Sequence, residues 1–528
     1  MKRRTFLTVV AVAGVMLTVA QPNVQARAIP KGKRPLNIAQ FDAAIKSISP
    51  ARAAELDAAL MTASISQMQA MFAQGKLTSE ELMKYYLWRI KRYDVDRLNS
   101  VTELNPDALE IARQLDAERT AGKVRGPLHG TAALLIDVIG TGDKMHNTAG
   151  ALALIDAKSD RDAFVVKRLR EAGVIILGKA SLTEWTGFIA FNQVQGYSTL
   201  GGQVVNPYNK KADVWGSSSG SAVAAAANFA TFTLGEETFG ALTLPAVADG
   251  VATLKPSMGL ISRDRLIPNL PTHDTIGPMT RNIIDLALVM DVLVATDPND
   301  SITAAAASAE KGFAQKLNDN GLRGKRVGVL LAAPGDKAVD DRMIQALQKA
   351  GAQVVPLPKQ PDLVPDVFNE LDPINAYAFR VSVEQYLAAT NASIKTMAEI
   401  VAFNAQDSKK RVKYGQEYLQ MAAESKMTSD EFDRRVRALN DKMRKQIDDL
   451  MSNNKLDFIA GTHLAVPMSL YYAAPGYPAI ALPAGYQANG APIGYVLTAK
   501  LFDDAKLIRA AYTLEQIIQA WHAPNLKK

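Results

Sequence analysis

The chain has 528 residues, 48% of them hydrophobic and 21% charged, and it contains no cysteine. Such a composition is typical of a soluble globular protein that buries one or two large cores. The lack of cysteine excludes disulfides, thiolate catalysis and cysteine-based metal sites. The formal net charge is +7, and only +3 remains without the four basic residues at positions 1–28. The charge therefore does not indicate a nucleic-acid-binding protein.

The N-terminus has the features of an export signal. A twin-arginine pair, Arg3-Arg4, precedes an apolar stretch at residues 6–20, and an Ala-Arg-Ala cleavage site lies at 26–28. The apolar stretch is shorter than the roughly 20 residues that span a bilayer as a helix. We therefore predict a signal peptide at 1–28 and a periplasmic or secreted protein with no stable membrane span after cleavage. Export is expected by the twin-arginine (Tat) route, with the general secretory (Sec) route as the alternative because Lys2 stands where Tat signals usually carry Ser or Thr.

A helical and extended arm is expected at 29–59, before the main domain. Residues 42–71 place apolar side chains at helical spacing. The sequence Thr78-Ser79-Glu80-Glu81 is a capping box, which predicts a helix that runs to about residue 94. Both helices are expected to pack outside a sheet.

From residue 134 onwards, strands and helices alternate. Strand 134–136, helix 162–171 and strand 174–177 predict a βαβ unit. Two core helices are predicted at 221–230 and 282–294. Further strands are expected at 326–331, 353–357, 456–460 and 479–485, with helices at 340–350 and 504–520. This pattern predicts an α/β fold.

Residues 366–451 look almost wholly helical and carry much of the charge. Thr428 is predicted to cap the last long helix of this segment. Its mixed charges between 433 and 449 favour a solvated face, with a partner-binding surface as the alternative. We expect this segment to be a helical insertion in one large domain at 60–522.

Two motifs carry the functional information. Residues 215–222 read WGSSSGSA, and residues 235–246 read GEETFGALTLPA. Further landmarks along the chain are TSEEL, LNPDAL, GPLHG, ILGKA, LKPSMGLISR, DTIGPMTR and GYPAI. The two motifs and these landmarks, which follow one another in the family's order, resemble the amidase signature family. The resemblance covers roughly residues 60–522. It implies the family's fold, a mixed twisted β-sheet core sandwiched between layers of helices.

The resemblance also implies a chemistry, the hydrolysis of C–N bonds by a Ser, cis-Ser and Lys triad. In the family the lysine takes a proton, through the cis-Ser, from the serine that attacks the amide carbonyl. Matched to the family pattern, the cis-Ser position is Ser217, the nucleophile position is Ala241 and the lysine position is Ile136. The cis-Ser is retained, whereas the nucleophile and the lysine are lost.

Substrate-binding residues can be carried over from the same pattern. The family's oxyanion loop corresponds to Thr238, Phe239 and Gly240, with Ser218 beside the cis-Ser. A bulky side chain such as Phe239 disfavours positive φ and can occupy the space of a substrate carbonyl. We therefore expect the backbone donors of this loop to be displaced.

Other residues offer alternatives for catalysis. Ser218 or Ser219 could pair with Lys144 or Lys255 in a rearranged site, but serines at a helix N-terminus and structural or exposed lysines are the favoured interpretation. Glu236 and Glu237 could act as a general acid and base pair. We expect instead that they hydrogen-bond to backbone groups in a tight loop.

The five histidines, His129, His146, His273, His463 and His522, show no metal-ligand spacing. His129 is expected to be a structural, hydrogen-bonded residue. No metal or cofactor is expected. A small amide or carboxylate ligand, or a periplasmic protein partner, fits this interpretation better than nucleic acid.

Three hypotheses follow. The preferred one is an exported, amidase-like protein that is catalytically inactive and has a binding or partner role. The second is an active amide or ester hydrolase that uses displaced catalytic residues. The third is a structural or assembly subunit that works through the helical segment 366–451.

Overall fold

The computed structural model describes residues 33–331, 337–357, 364–462 and 468–527. The expected signal peptide at 1–28 and His463 lie outside these residues. Within them, no helix combines the length and the hydropathy needed to cross a membrane.

The described residues form an eleven-stranded sheet and a separate two-stranded hairpin. The strands are β1 Val101–Leu104, β2 Ala132–Ile136, β3 Ile175–Ala180, β4 Tyr197–Ser198, β5 Gly202–Gln203, β6 Phe232–Glu237, β7 Ala252–Lys255, β8 Thr275–Thr280, β9 Arg326–Leu330, β10 Gln353–Pro356, β11 Phe458–Thr462, β12 Ala479–Tyr486 and β13 Pro492–Thr498. The order in the large sheet is β1-β3-β2-β6-β8-β7-β12-β13-β11-β9-β10. Parallel pairs such as β2 with β6 stand beside antiparallel pairs such as β6 with β8, so the sheet is mixed.

Seventeen α-helices are found in the same residues. They are α1 Asp42–Lys46, α2 Pro50–Leu60, α3 Ile65–Ala73, α4 Ser79–Arg89, α5 Ala108–Thr120, α6 Phe164–Glu171, α7 Ser219–Ala226, α8 Thr243–Ala248, α9 Ile283–Leu293, α10 Lys337–Lys349, α11 Val364–Ala388, α12 Met397–Ala405, α13 Ser408–Arg411, α14 Glu417–Glu424, α15 Ser429–Asn453, α16 Met468–Ala473 and α17 Asp504–Ile518.

The sheet is buried on both faces. Along β2, Ala132 and Leu134 pack in a cluster that includes residues of α4, α5 and α7. Ala133 and Leu135 pack in a second cluster that includes residues of α6 and α9. Because side chains alternate between the two faces of a strand, these two clusters lie on opposite sides of the sheet. The prediction of an α/β fold with a sheet between layers of helices is confirmed.

Helix ends show where the local signals were right and where they were incomplete. Thr78 caps α4 by accepting the Glu81 backbone N–H at 3.1 Å. The reciprocal half of the predicted capping box is replaced, because the Glu81 carboxylate binds Arg52 of α2 at 2.8 Å. The small-residue helix α7 ends at Ala226 rather than near residue 230, since Asn228 adopts φ 54° and turns the chain towards β6.

Candidate functional site

The candidate site lies where β6 ends and α7 and α8 begin. Glu236 and Glu237 belong to β6, which pairs with β8 through Glu236 and Ile276 and through Glu237 and Thr275. The expectation of a tight loop at these two residues is therefore wrong. Antiparallel pairing with β8 keeps the backbone extended up to Glu237, and the loop begins only at Thr238.

The structure brings the cis-Ser and nucleophile positions together. The peptide bond between Gly216 and Ser217 is cis. The next residue, Ser218, donates its backbone N–H to the carbonyl oxygen of Ala241 at 3.2 Å. Ser217 is 3% exposed, and its buried Oγ has no hydrogen-bond partner among the described residues. The hydroxyl at Ser217 is therefore uncommitted, and position 241 presents only a methyl group.

Ile136, at the lysine position, is the last residue of β2. It is fully buried and belongs to an aliphatic and aromatic cluster with Leu135 and Val138. The following carboxyl, that of Asp137, accepts the Thr148 backbone N–H at 3.1 Å. A hydrocarbon side chain at this position can neither bind nor release a proton.

The neighbouring serine hydroxyls bind backbone groups. Ser218 Oγ donates to the Glu236 carbonyl at 2.8 Å and accepts the Glu236 backbone N–H at 3.0 Å. Ser219 Oγ donates to the Trp215 carbonyl at 2.5 Å. Both hydroxyls are therefore engaged within the protein. The expectation that they satisfy the helix N-terminus is wrong, because Ser218 stands at the N-cap of α7 without a side-chain cap hydrogen bond and binds β6 instead.

The two candidate replacement lysines are also engaged. Lys144 is exposed and its Nζ lies 2.7 Å from Asp107 Oδ1. Lys255 is buried, and its Nζ donates to the carbonyl oxygens of Pro256 and Tyr477, both at 3.0 Å. Burial lowers the pKa of Lys255 to about 8. These contacts agree with structural roles for the two side chains.

The loop of Thr238, Phe239 and Gly240 differs from the expectation at one point. Gly240 has φ 75°, whereas Phe239 does not have a positive φ. The predicted conflict between a bulky side chain and the left-handed region is therefore wrong, because the glycine takes that conformation. The Phe239 ring packs on His273, with ring centroids 4.9 Å apart.

Phe239 also connects two hydrophobic clusters. It packs against a cluster that contains Leu242 and Tyr472 near α8 and α16. It packs equally against a second cluster formed by residues of α11 and α15. His273, beneath the ring, forms a 2.9 Å hydrogen bond through Nε2 with Asn440 of α15. The loop is thus packed against the helical segment that sequence analysis called an insertion.

Glu237 holds the start of α8. Its Oε2 accepts the backbone N–H groups of Leu242 at 2.8 Å and of Thr243 at 3.2 Å. A carboxylate near a helix N-terminus satisfies backbone donors and interacts favourably with the helix dipole. The expectation that this residue bonds backbone groups is confirmed. Glu236 differs, because its carboxyl lies 3.4 Å from the Thr238 hydroxyl instead.

Sequence reasoning missed two residues of the site. Asp274 contacts Thr238, with 2.8 Å between the Thr238 hydroxyl and Asp274 Oδ1. The Tyr472 hydroxyl lies 2.6 Å from Thr243 Oγ1. Asp274 opens the DTIGPMTR motif and stands one residue before the Thr275 partner of Glu237, so strand pairing was the signal that could have found it. No local signal marks Tyr472.

His129 has the structural role that was predicted. Its Nε2 lies 2.9 Å from the Leu115 carbonyl oxygen, and its Nδ1 accepts the Arg125 backbone N–H at 3.3 Å. Across the described ranges, no group of three or more His, Asp or Glu side chains is arranged to hold a metal ion.

The sheet, the serine-rich turn and the loop before α8 define an amidase-type architecture. The Amidase family model matches residues 81–508. A probable amidase of Arabidopsis thaliana is 35% identical over 467 residues, which are 87% of this chain and 90% of the plant protein. The chain belongs to the amidase signature family.

Solved structures support the same assignment. An amidase family protein from Bacillus anthracis superposes with a TM-score of 0.87 at 33% identity, covering 93% of this chain and all of the bacterial chain. The peptide amidase of Stenotrophomonas maltophilia gives a TM-score of 0.84 at 34% identity, covering 88% of this chain and 99% of that enzyme. This chain is similar to both over nearly its whole described length.

Proposed function

We propose that this chain is an exported amidase-like protein that binds a ligand or a partner without hydrolysing it. The observation that carries the proposal is Ala241, whose carbonyl accepts a hydrogen bond from the backbone of Ser218 while its side chain offers only a methyl group. Loss of the nucleophile from a catalytic triad lowers kcat by about 10⁶-fold, and loss of the base adds little because the triad acts as a unit.

The remaining polar groups support the same proposal. Ser218 and Ser219 use their hydroxyls on backbone groups, and the amine of Lys255 binds two carbonyls. A displaced serine and lysine pair would have to break these contacts before it could react. An active hydrolase with displaced residues is therefore the less supported hypothesis.

Ligand binding is supported by Ser217. Its buried Oγ has no partner among the described residues, and a buried hydroxyl without a partner loses free energy that a ligand can restore. A small amide or carboxylate offers the matching donors and acceptors. The peptide amidase to which this chain is similar acts, by its name, on a peptide amide, which favours the amide class over the carboxylate. A periplasmic protein is the alternative partner.

We further propose export through residues 1–28 by the Tat route. The support is the Arg3-Arg4 pair before a modest apolar stretch and the cleavage pattern at 26–28. Fractionation of cells that express the full chain should place it outside the cytoplasm. Replacement of Arg3-Arg4 by two lysines should retain it inside if Tat is the route, and should leave export unchanged if Sec is used.

The activity test uses the purified mature protein with simple amides, aryl acylamides and esters, together with a fluorophosphonate probe. We expect no turnover and no covalent labelling. Turnover that disappears in Ser217→Ala or Ser218→Ala would establish the displaced-residue hydrolase and refute the proposal.

The binding test is calorimetry with the same amides. Binding that weakens in Ser217→Ala supports a ligand site beside this hydroxyl. If no amide binds, and a periplasmic partner is captured whose binding is lost on charge reversal between 433 and 449, the third hypothesis, an assembly subunit, replaces the proposal.

A further inference from the structure

Two buried carboxyl groups meet across one hydroxyl in the loop. Thr238 Oγ1 lies 2.8 Å from Asp274 Oδ1 and 3.4 Å from Glu236 Oε1. All three residues are buried. They are brought together because Asp274 immediately precedes Thr275, the residue of β8 that pairs with Glu237.

The hydroxyl has one hydrogen and cannot donate to both carboxyl groups at once. Asp274 also accepts the backbone N–H groups of Asn269 at 2.8 Å and Leu270 at 2.9 Å. Burial raises the pKa of Asp274 as well, but three donors converge on its carboxylate and oppose that rise, so Asp274 is the member of the pair that ionises first. The Glu236 carboxyl accepts no backbone N–H, and its Oε2 has no partner among the described residues.

Nearby charges do not compensate an ionised Glu236. Glu237 and Asp274 both act on Glu236 with like charge. The cations of the region serve other groups: Lys255 lies near Glu237 and Asp504, and Arg263 forms an ion pair with Asp300 at 2.7 Å while it also acts on Asp274. An uncompensated buried charge is costly, so the neutral acid is the stable form.

We propose that Glu236 is held as a neutral carboxylic acid that donates a hydrogen bond to the Thr238 hydroxyl and thereby positions the loop of Thr238, Phe239 and Gly240. Loss of the Glu236 proton then loosens this loop. Glu236 is a positioning residue here, because it acts through Thr238. The link to ligand binding rests on the proposed function, whereas the loosening of the loop does not.

The electrostatics agree with this arrangement. Burial, followed by repulsion from Asp274 and Glu237, raises the pKa of Glu236 well above its ordinary value. When the proton leaves, two carboxylates compete for the single Thr238 hydrogen. Repulsion between the carboxylates of Glu236 and Asp274 then breaks the contact between Glu236 and Thr238. Phe239, the residue after Thr238, loses its fixed position on His273.

The test is hydrogen exchange of the peptide that covers residues 238–244, followed by mass spectrometry from acidic to alkaline pH. Wild type is compared with Glu236→Gln at each pH, which cancels the intrinsic pH dependence of exchange. Gln donates to Thr238 at every pH and carries no charge. Between the ordinary carboxyl pKa of 4.5 and the raised pKa of Glu236, we expect wild type to exchange faster than the variant by a ratio that grows about tenfold per pH unit. Above the raised pKa the ratio should level off, because Glu236 is then ionised in both the closed and the open loop.

A matched control is Glu184→Gln. Glu184 is another buried carboxyl, and its pKa is raised to about 8. This variant should keep the pH-dependent exchange of the loop. Thr238→Val removes the bridge, so its loop should exchange fast at all pH values, and Thr238→Ser should restore the wild-type profile. An unchanged ratio between wild type and Glu236→Gln, or a wild-type profile in Thr238→Val, overturns the inference. No ligand is used, so this result is independent of the proposed function.

Discussion

The Ser218 hydroxyl binds both backbone groups of Glu236, donating to the carbonyl at 2.8 Å and accepting the N–H at 3.0 Å. This double contact ties the serine-rich turn before α7 to the end of β6. It also separates the roles of two adjacent serines, since Ser217 Oγ has no partner among the described residues. One serine stabilises the framework, and the other keeps an uncommitted hydroxyl.

This difference predicts unequal effects of two alanine substitutions. Ser218→Ala leaves a buried backbone N–H without its partner, so we expect the free energy of unfolding to fall by about 1–3 kcal/mol. Ser217→Ala removes a buried hydroxyl with no partner among the described residues, so the free energy of unfolding should not fall and should rise by up to about 1–3 kcal/mol. Urea unfolding of both variants provides the measurement. Equal losses would contradict the assignment.

The second prediction concerns recovery of chemistry. Ala241→Ser together with Ile136→Lys restores the nucleophile and the lysine at the family positions, so trace amide hydrolysis is expected, well below that of an intact triad. The measurement is turnover of an aryl acylamide by the double variant, with each single variant as control. Activity in a single variant equal to that of the double variant would show that the two groups do not act together.

Phe239 is tested by extension of the same series. If the double variant stays inert while a triple variant with Phe239→Gly hydrolyses the substrate, the ring on His273 is an additional obstacle. Ile136 lies in a hydrophobic cluster, so a lysine there costs several kcal/mol of stability. Circular dichroism must therefore show that the variants are folded.

The third prediction is that His273 makes the stability of the folded protein sensitive to acid. Burial lowers the pKa of His273 from its ordinary 6.5 to about 3. Between these values the unfolded chain binds a proton that the folded chain does not, so stability is full above pH 6.5 and falls as the pH drops towards 3. At pH 5 the loss is about 2 kcal/mol. His273→Gln should lose less between pH 7 and pH 5, and an equal loss would exclude His273 as the cause.

The fourth prediction has the opposite sign. Burial raises the pKa of Glu184 from 4.5 to about 8. The folded chain keeps a proton that the unfolded chain releases, so stability falls as the pH rises from 4.5 to 8. Glu184→Gln keeps an acceptor for Thr199 but cannot ionise. It should gain about 3 kcal/mol over wild type between pH 4.5 and 7. A constant difference across that range in urea unfolding would contradict this.

Local signals predicted the elements that depend on neighbouring residues. The helix predicted at 282–294 is found at Ile283–Leu293. Thr428 caps α15 as predicted, because its hydroxyl accepts the Glu431 backbone N–H at 3.2 Å. Thr428 and Glu431 are only three positions apart, so a short stretch of sequence contains the whole capping interaction.

The site depends on longer separations. Thr238 and Asp274 are 36 positions apart in sequence, and only the pairing of β6 with β8 brings them together. The loop expected at Glu236 and Glu237 was wrong for the same reason, since β8 stabilises an extended backbone that two acidic residues disfavour. The residue with positive φ in this loop is Gly240, at 75°, and not Phe239, because glycine has no Cβ to disfavour that conformation.

The parallel pairing of β2 with β6 has an evolutionary consequence. Backbone hydrogen bonds of the sheet hold the strand that ends at Ile136 next to the strand that leads to Ala241, whatever the side chains at these two positions. Substitutions at positions 136 and 241 can therefore accumulate without disturbing the scaffold, and the two positions that a restored triad needs remain on neighbouring segments without a new architecture.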